Sequence, residues 1–248
     1  MGFRLQAIRP EDPVDSFPDP ATMGVALGYP DGLLAIGGDL SPERLIAAYT
    51  RGIFPWFNAG QPILWWSPDP RAVLEPVQFH KSRSLIRMLR RGGWEYSVNN
   101  CFARIVKGCA QNRGDHGTWI TAEMLAAYTS LHELGYAHSI ECWFKGKLAG
   151  GIYGIRLGEL FFGESMFSTI SNGSKVALTA LAELCPQAGV SLIDCQLSSP
   201  HLTTLGMVEI PRQAFLKRLA DNTQASTQFT FCAPKKSILD GLIRHREA

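Results

Sequence analysis

The sequence predicts an α+β protein in which a mixed sheet is flanked by helices and follows a small N-terminal α+β part. Three observations favour this class. Helical segments alternate with a run of three apolar, strand-like segments, and turn residues separate those three. Residues 1 to about 40 are instead rich in Pro, Gly and Asp, which is typical of loops and short strands. A Pro-rich stretch, Ser67-Pro68-Asp69-Pro70, lies between the two parts. We therefore expect domains at 1–70 and 71–248.

The N-terminal part contains one clear helix. Ser41 is a good N-cap, Pro42 suits the first helical position, and Glu43 favours the positive end of the helix dipole. The helix is predicted to end near Arg51, because Gly52 follows.

The C-terminal part has a regular order of elements. We predict helices over Lys81–Arg91, from the cap Thr121 to Gly135, over Ser174–Cys185 and over Pro211–Ala220. We predict strands over His138–Phe144, Lys147–Ile155, Glu159–Phe167 and Ser191–Leu197. The order of helix, three-stranded meander, helix, strand and helix resembles the acetyltransferase (GNAT-like) fold.

Composition excludes several classes of protein. The chain is 46% hydrophobic and 19% charged with a net charge of +2, which is ordinary for a soluble protein and does not by itself indicate a nucleic-acid partner. The six cysteines form no CxxC pair and have no zinc-ligand spacing, so we expect a reduced, cytoplasmic protein without a metal. The polar N-terminus is not a signal peptide, and no apolar run reaches the length of a membrane span.

A basic helix is the first candidate functional feature. Arg83, Arg87, Arg90 and Arg91 fall within one arc of the predicted helix, opposite its apolar side chains. Within the predicted helix no acidic residue lies three or four positions away to pair with them. This face is either simply solvated or a surface that binds the phosphate backbone of a nucleic acid.

Two strands carry polar side chains that need partners. In LIDCQL, Asp194 and Gln196 share one face of a regular strand, which is a structural network, an exposed face or a polar patch lining a cleft. In FFGES, Glu164 lies among Phe and Met side chains and shares a face with Phe162 and Met166 if the strand is regular. An unpaired buried charge is costly, so Glu164 either faces water or binds a ligand.

Several nucleotide-binding and hydrolase motifs are missing. The chain has no GxxxxGK[ST] or GxGxxG loop, no GxSxG, and no acetyl-CoA pyrophosphate loop before the helix at Ser174. ATP and acetyl-CoA are therefore not favoured as cofactors.

Long segments identify a family. GGDLSPERLIAAYTRGIFPWF, PILWWSPDPRAVL, GTWIT, LHELGYAHSIE, FFGESMFS and IDCQ together resemble the leucyl/phenylalanyl-tRNA–protein transferase family, from about Gly32 to about Phe215. The resemblance implies transfer of Leu or Phe, and Met less well, from aminoacyl-tRNA to acceptor proteins with N-terminal Arg or Lys, which marks them for degradation by the N-end rule. It implies a GNAT-like domain, no cofactor or metal, and a monomer.

The resemblance also assigns residues. Asp194 and Gln196 match catalytic positions, and Glu164 matches an active-site carboxylate that we expect to pair with a cation of a substrate. The matching side-chain pocket comprises Trp56, Trp119, Tyr128, Ile152 and Phe161, and the matching tRNA-binding positions are Arg83, Arg87, Arg90 and Arg91. An aminoacyl ester is already activated, so orientation and oxyanion stabilisation are the main needs. Gln196 would orient the attacking amine, with Asp194 either relaying charge or only positioning Gln196.

Three alternatives stay open. The chain could be a Fem-like aminoacyl-tRNA-dependent transferase acting on a non-protein amine, which differs in its acceptor. It could be an RNA-binding protein without activity, although Glu164, Asp194 and Gln196 argue against this. It could be a CoA-dependent acetyltransferase, which the absent pyrophosphate loop disfavours.

Overall fold

The computed structural model describes residues 5–22, 30–111, 119–222 and 236–237. Within these residues the helices are α1 Pro42–Tyr49, α2 Arg83–Arg90, α3 Phe102–Gln111, α4 Ala122–Glu133, α5 Gly173–Gln187, α6 Pro200–Thr203 and α7 Arg212–Asn222. The strands are β1 Gln6–Ile8, β2 Leu33–Gly37, β3 Phe54–Pro55, β4 Leu64–Trp66, β5 Arg71–Leu74, β6 Trp94–Val98, β7 Ala137–Phe144, β8 Lys147–Leu157, β9 Leu160–Ser168, β10 Leu192–Gln196, β11 Val208–Ile210 and β12 Lys236–Ser237. No helix among the described residues is both long and apolar enough to cross a bilayer.

The strands form two sheets. The first has the order β1-β2-β4-β3, and the second has the order β11-β5-β10-β9-β8-β7-β6-β12. In the second sheet β10 is parallel to β9, and the neighbouring pairs from β9 to β12 are antiparallel. The predicted α+β class, with a mixed sheet between helices, is therefore confirmed.

Most predicted elements agree with the structure to within a few residues. Ser41, Ser82 and Thr121 each cap a helix by accepting a hydrogen bond from a main-chain N–H of the first turn. Helix α5 continues through Pro186, where we expected it to end, because a proline near the end of a helix removes only one main-chain hydrogen bond. The prediction did not include α3 or the strands β5, β6 and β11.

Successive side chains of the large sheet alternate between two cores. One core lies under α2 and α5, and it contains Leu85, Leu89, Phe161 and Ile193. The other lies under α1, α3, α4 and α7, and it contains Leu45, Ile105, Leu131, Phe162 and Phe215. This second core continues into the first sheet through Trp65, so the chain segments 1–70 and 71–248 share buried apolar contacts. The division into two domains at residue 70 stays a prediction.

Arg71, the first residue of β5, links these parts through a buried charge. Its side chain is fully buried, and its Nε and Nη2 donate to the two carboxylate oxygens of Asp194 at 2.8 and 2.6 Å. Its Nη1 donates to the carbonyl oxygen of Gly52 at 3.0 Å. The guanidinium group also lies 4.9 Å from the ring centre of Phe54 and 4.5 Å from that of Phe215. Arg71 therefore joins β10, the segment after α1, and α7.

Replacing Arg71 with Leu should lower the free energy of unfolding by about 3–5 kcal/mol, because it leaves the carboxylate of Asp194 buried without its partner. Urea denaturation followed by circular dichroism measures this change. The exposed pair Arg218–Glu75 provides the control, since Arg218→Leu should cost less than about 1 kcal/mol. Equal effects of the two substitutions would contradict the prediction.

Candidate active site

Two neighbouring bulges open the large sheet. In the pairing of β9 with β8, Tyr153 lies opposite Ser165 and Gly154 lies opposite Gly163, so Glu164 is an extra residue in β9. In the pairing of β10 with β5, Asp194 lies opposite Val73 and Gln196 opposite Ala72, so Cys195 is extra in β10. Bulges of this kind redirect side chains and end regular pairing.

The bulge in β9 changes which face its side chains occupy. Phe162 lies in the core under α3 and α4, whereas Met166 packs against the core under α5. The expectation that Glu164 shares one face with both residues is therefore wrong, because the extra residue reverses the alternation. A Cβ atom at the neighbouring Gly163 would lie 3.6 Å from the carbonyl oxygen of Asp194, at ordinary van der Waals distance.

Glu164 is only partly exposed and has three neutral partners. The hydroxyl of Tyr49 lies 2.8 Å from one carboxylate oxygen, and the hydroxyl of Tyr128 lies 2.7 Å from the other. The two hydroxyls are 2.6 Å from each other. The side-chain amide of Gln196 donates to Glu164 at 3.2 Å. No described residue forms an ion pair with this carboxylate.

Three short contacts join the oxygens of Glu164 and its two tyrosine partners. Two tyrosine hydroxyls supply two hydrogens, whereas three contacts of 2.6 to 2.8 Å join the oxygens of Tyr49, Tyr128 and Glu164. A protonated Glu164 would supply the third hydrogen, since a neutral carboxyl group is also a donor. Burial raises the pKa of Glu164 to about 7, with hydrogen bonds from the tyrosines opposing the rise and the nearby Asp194 adding to it. The carboxyl group therefore changes charge near neutral pH.

The same surroundings act on the tyrosines. Burial raises the pKa of Tyr49 and of Tyr128 well above the ordinary value, and the charge of Glu164 raises both further. Both phenols therefore stay protonated near neutral pH.

Asp194 and Gln196 meet through the main chain. One carboxylate oxygen of Asp194 accepts from the backbone N–H of Gln196 at 3.0 Å, and no hydrogen bond joins their side chains. Gln196 has a φ of 59°, in the left-handed region that non-glycine residues rarely occupy. Because Asp194 is fully buried against Arg71, it fixes this backbone conformation and so the direction of the Gln196 side chain.

Two cavities meet at Glu164 and Gln196. The indole cavity has a volume of about 360 Å³ and is lined by Phe54, Trp56, Trp119 and Ser199. The aliphatic cavity has a volume of about 280 Å³ and is lined by Ile152, Met166, Leu178 and Ile193. Glu164, Cys195, Gln196 and Leu202 line both cavities. A bound molecule could therefore reach the carboxyl group of Glu164 and the amide of Gln196 from either cavity.

The expected pocket residues are divided between these cavities. Trp56 and Trp119 line the indole cavity, and Ile152 lines the aliphatic cavity. Tyr128 and Phe161 line neither: Tyr128 donates to Glu164 from α4, and Phe161 packs beside Gly154. Both are fully buried.

The basic helix has the predicted geometry. Arg83, Arg87, Arg90 and Arg91 are exposed, while Leu85 and Leu89 of the same helix are buried against the core under α5. None of the four forms an ion pair with another described residue. The face is therefore a set of accessible positive charges.

The sequence analysis did not identify Tyr49 or Arg71. Tyr49 is the last residue of the buried face of α1, which also contains Leu45 and Ala48. In the sequence, its polar role is indicated only by a phenol at a position where an aliphatic residue would be ordinary. Arg71 begins a strand of otherwise apolar residues, and a buried arginine requires an acidic partner. In both cases the partner lies more than 110 positions away in the chain.

Comparisons with known proteins agree with the resemblance. Residues 73–220 match the family model of leucyl/phenylalanyl-tRNA protein transferase, and residues 38–69 match its N-terminal domain. The chain is 54% identical over 220 residues to a protein named leucyl/phenylalanyl-tRNA–protein transferase from Anaeromyxobacter sp. (strain K), covering 88% of this chain and 90% of that protein. It is 52% identical over 227 residues to a protein of the same name from Idiomarina loihiensis, covering 91% and 95%.

Among solved structures, a ribosomal-protein-alanine N-acetyltransferase from Brucella melitensis biovar Abortus 2308 aligns with a TM-score of 0.33 and 14% identity. The alignment covers 52% of this chain and 92% of that one. The family matches span both parts of the chain and include the strands that carry Glu164, Asp194 and Gln196. The chain belongs to the leucyl/phenylalanyl-tRNA–protein transferase family and is an aminoacyltransferase.

Proposed function

We propose that this chain transfers Leu or Phe, and Met less well, from aminoacyl-tRNA to the N-terminal Arg or Lys of acceptor proteins, in the cytoplasm and as a monomer. The added residue would mark the acceptor for degradation by the N-end rule. The observation that carries the proposal is Glu164 at the junction of two cavities, a carboxyl group whose hydrogen-bond partners among the described residues are all neutral and include Gln196.

The reaction needs no further activation of the donor. The neutral α-amine of the acceptor attacks the carbonyl carbon of the aminoacyl ester, and a C–N bond forms as the C–O bond to the ribose breaks. The amine loses a proton, and the ribose oxygen leaves with one. An α-amine has a pKa near 8, so a useful fraction is neutral at pH 7 without a strong base. Orientation is therefore the main contribution expected from the protein.

Gln196 is suited to orient the amine. Its side-chain N–H group donates to Glu164, so its carbonyl oxygen is directed elsewhere in the cavity, where it can accept a hydrogen from the attacking amine. Asp194 is fully buried, and its hydrogen bond to Gln196 involves the main chain of Gln196 and not its side chain. This supports a positioning role for Asp194, acting through the backbone of Gln196, over a relay of charge.

Glu164 is suited to bind the cation of an acceptor. Its ionised form costs free energy in this buried position, and a substrate cation would offset that cost. An acceptor that begins with Arg or Lys carries both a side-chain cation and a terminal amine. An acceptor that begins with Ala has the terminal amine but lacks the side-chain cation. Comparing the two acceptors therefore separates the contribution of the side-chain cation from that of the terminal amine.

The donor has features that match the remaining surfaces. Trp56 and Trp119 line the indole cavity, which supports its assignment to the Leu or Phe side chain. The other expected pocket residues would act less directly. Ile152 would contact the donor from the aliphatic cavity, and the fully buried Tyr128 and Phe161 would pack behind the residues that line the site. The exposed arginines of α2 carry no competing carboxylate, which supports their binding to tRNA phosphates with little base specificity.

The direct test is transfer of labelled Phe from Phe-tRNA to a peptide that begins with Arg. Replacing Gln196 with Ala should lower the transfer rate by about 100-fold or more, since it removes the group that orients the amine. Gln213, exposed on α7, is the matched control, and Gln213→Ala should leave the rate unchanged.

The acceptor controls separate the alternatives. A peptide that begins with Ala should be labelled far more slowly than one that begins with Arg. Equal labelling of the two peptides would overturn the proposed role of Glu164, and labelling of a non-protein amine in preference to either would indicate a Fem-like transferase. Binding of tRNA without any labelling would overturn the proposed transfer reaction.

Acceptor binding should depend on pH between 6 and 7, because Glu164 must be ionised to pair with a cation. The pKa of about 7 means that the ionised fraction rises about fivefold over this interval, while an α-amine with pKa near 8 stays mostly protonated. The dissociation constant of an Arg-initiated peptide, measured by calorimetry, should therefore fall as pH rises. Glu164→Gln should bind weakly with no such pH dependence; the same dependence in this variant would assign it to another group.

Replacing Tyr49 with Phe should move this pH dependence to higher pH. The substitution keeps the ring but removes a hydrogen bond that lowers the pKa of Glu164. Calorimetric titrations with the same peptide should show half-maximal affinity at a higher pH than in the wild type. Tyr136→Phe is the control, because Tyr136 does not contact Glu164, and its pH profile should match the wild type. An unshifted profile in Tyr49→Phe would contradict the assigned role.

A further inference from the structure

A second group of exposed cations lies away from α2. Arg104 and Lys107 belong to α3, and Lys145 and Lys147 flank the turn between β7 and β8. All four are exposed, and none forms an ion pair with a described residue. We call these four residues the hairpin cations. Unpaired charges of one sign in one region repel each other, so a bound polyanion would stabilise the region.

The carboxylates of the neighbouring strands do not neutralise this group. Glu141 on β7 is fully buried and accepts hydrogen bonds from the hydroxyls of Ser97 and Ser139. Glu95 on β6 is partly exposed and is not within ion-pair distance of any described cation. The excess of positive charge therefore remains accessible to a ligand.

Two of the hairpin cations line a cavity of their own. Arg104, Lys107 and Gln111 on α3 form one side, and Leu148, Phe167 and Thr169 form the other. Its volume is about 490 Å³, larger than either cavity at Glu164. Long cationic side chains at the rim of such a cavity can hold a backbone phosphate.

This cavity lies near the active site along β9. Phe167 is three residues beyond Glu164, which corresponds to roughly 10 Å along a strand. The ring of Phe167 packs directly against Gly108, where a side chain would clash at 2.5 Å, so α3 is fixed against this end of β9. The cavity is on the face covered by α3, whereas α2 covers the opposite face.

The turn between β7 and β8 connects the two basic regions. The N–H of Lys145 donates to the carbonyl oxygen of Gly93 at 2.8 Å, and Gly93 follows Arg91 by two residues. Leu148, which follows Lys147, lines the cavity with Arg104 and Lys107. The turn therefore lies between the C-terminal end of α2 and the cations of α3. This places positive charge around the end of the sheet toward which β9 runs from Glu164.

We infer that the hairpin cations form a second contact with the phosphate backbone of the donor tRNA, continuous with the arginines of α2. The inference rests on the proposed donor, a tRNA whose 3′ end would lie at Glu164. The contact would supply affinity and orientation without base specificity, since it consists of cations alone.

The test measures tRNA affinity against salt concentration in the full-length protein. Removing two phosphate contacts in Arg104→Ala/Lys107→Ala should weaken binding of uncharged tRNA about tenfold at 0.1 M salt and reduce the slope of log K against log salt by about 2. Arg9→Ala/Lys217→Ala removes the same two charges from the turn after β1 and from α7 and should change neither quantity. Circular dichroism would verify that both variants are folded. A wild-type affinity and slope in Arg104→Ala/Lys107→Ala would overturn the inference.

Two donors separate this inference from the proposed function. With Phe-tRNA the Arg104→Ala/Lys107→Ala variant should show a raised KM and an unchanged kcat. With phenylalanyl-adenosine, which has no phosphate backbone, its KM should equal that of the wild type. An equal rise in KM with both donors would overturn the inference, because the effect would then act through the site at Glu164. Failure of the wild type to use either donor would overturn the proposed function, while the salt dependence of tRNA binding would still test the hairpin cations.

Discussion

The bidentate pair between Arg71 and Asp194 is the interaction on which the site depends. Both side chains are fully buried, so neither charge is tolerable without the other. The pair fixes Asp194, which accepts a hydrogen bond from the backbone N–H of Gln196. This hydrogen bond holds the backbone of Gln196 in a left-handed conformation. The same guanidinium group binds Gly52 and lies between Phe54 and Phe215, so it also positions the segment that carries Trp56. One buried cation thus organises both the strand and the wall of the cavity.

The adjacent bulges explain how a sheet provides a reactive centre. A regular pair of strands at β9 and β10 would place Glu164 and Gln196 in a continuous ladder with little space between them. One extra residue in each strand separates the strands after Asp194 and directs both side chains to the junction of the two cavities. The left-handed backbone at Gln196 is the conformational cost of this arrangement, and the buried carboxylate of Asp194 stabilises it.

Glu164 combines shielding with a capacity to ionise. Tyr49 and Tyr128 hold it from α1 and α4, two helices that belong to different parts of the chain. Burial raises its pKa to about 7, and the hydroxyls oppose this rise without supplying a positive charge. The surface charges are positioned independently of Glu164 and its tyrosine partners. The arginines of α2 and the hairpin cations are placed by the helices and the turn that carry them.

The sequence by itself determined the elements whose signals are local. The cap at Ser41, the arc of four arginines and the three-stranded meander of β7 to β9 each depend on neighbours within a few residues, and the structure has all three. The long family segments identified the transferase family for the same reason, since they are contiguous in the chain. Tertiary structure decided the partners of Glu164 and Asp194, because Tyr49 and Arg71 are distant in sequence and only the packing of α1 and β5 brings them together. It also decided the faces of β9, since a bulge depends on the register with neighbouring strands and leaves no periodic signal in the strand itself.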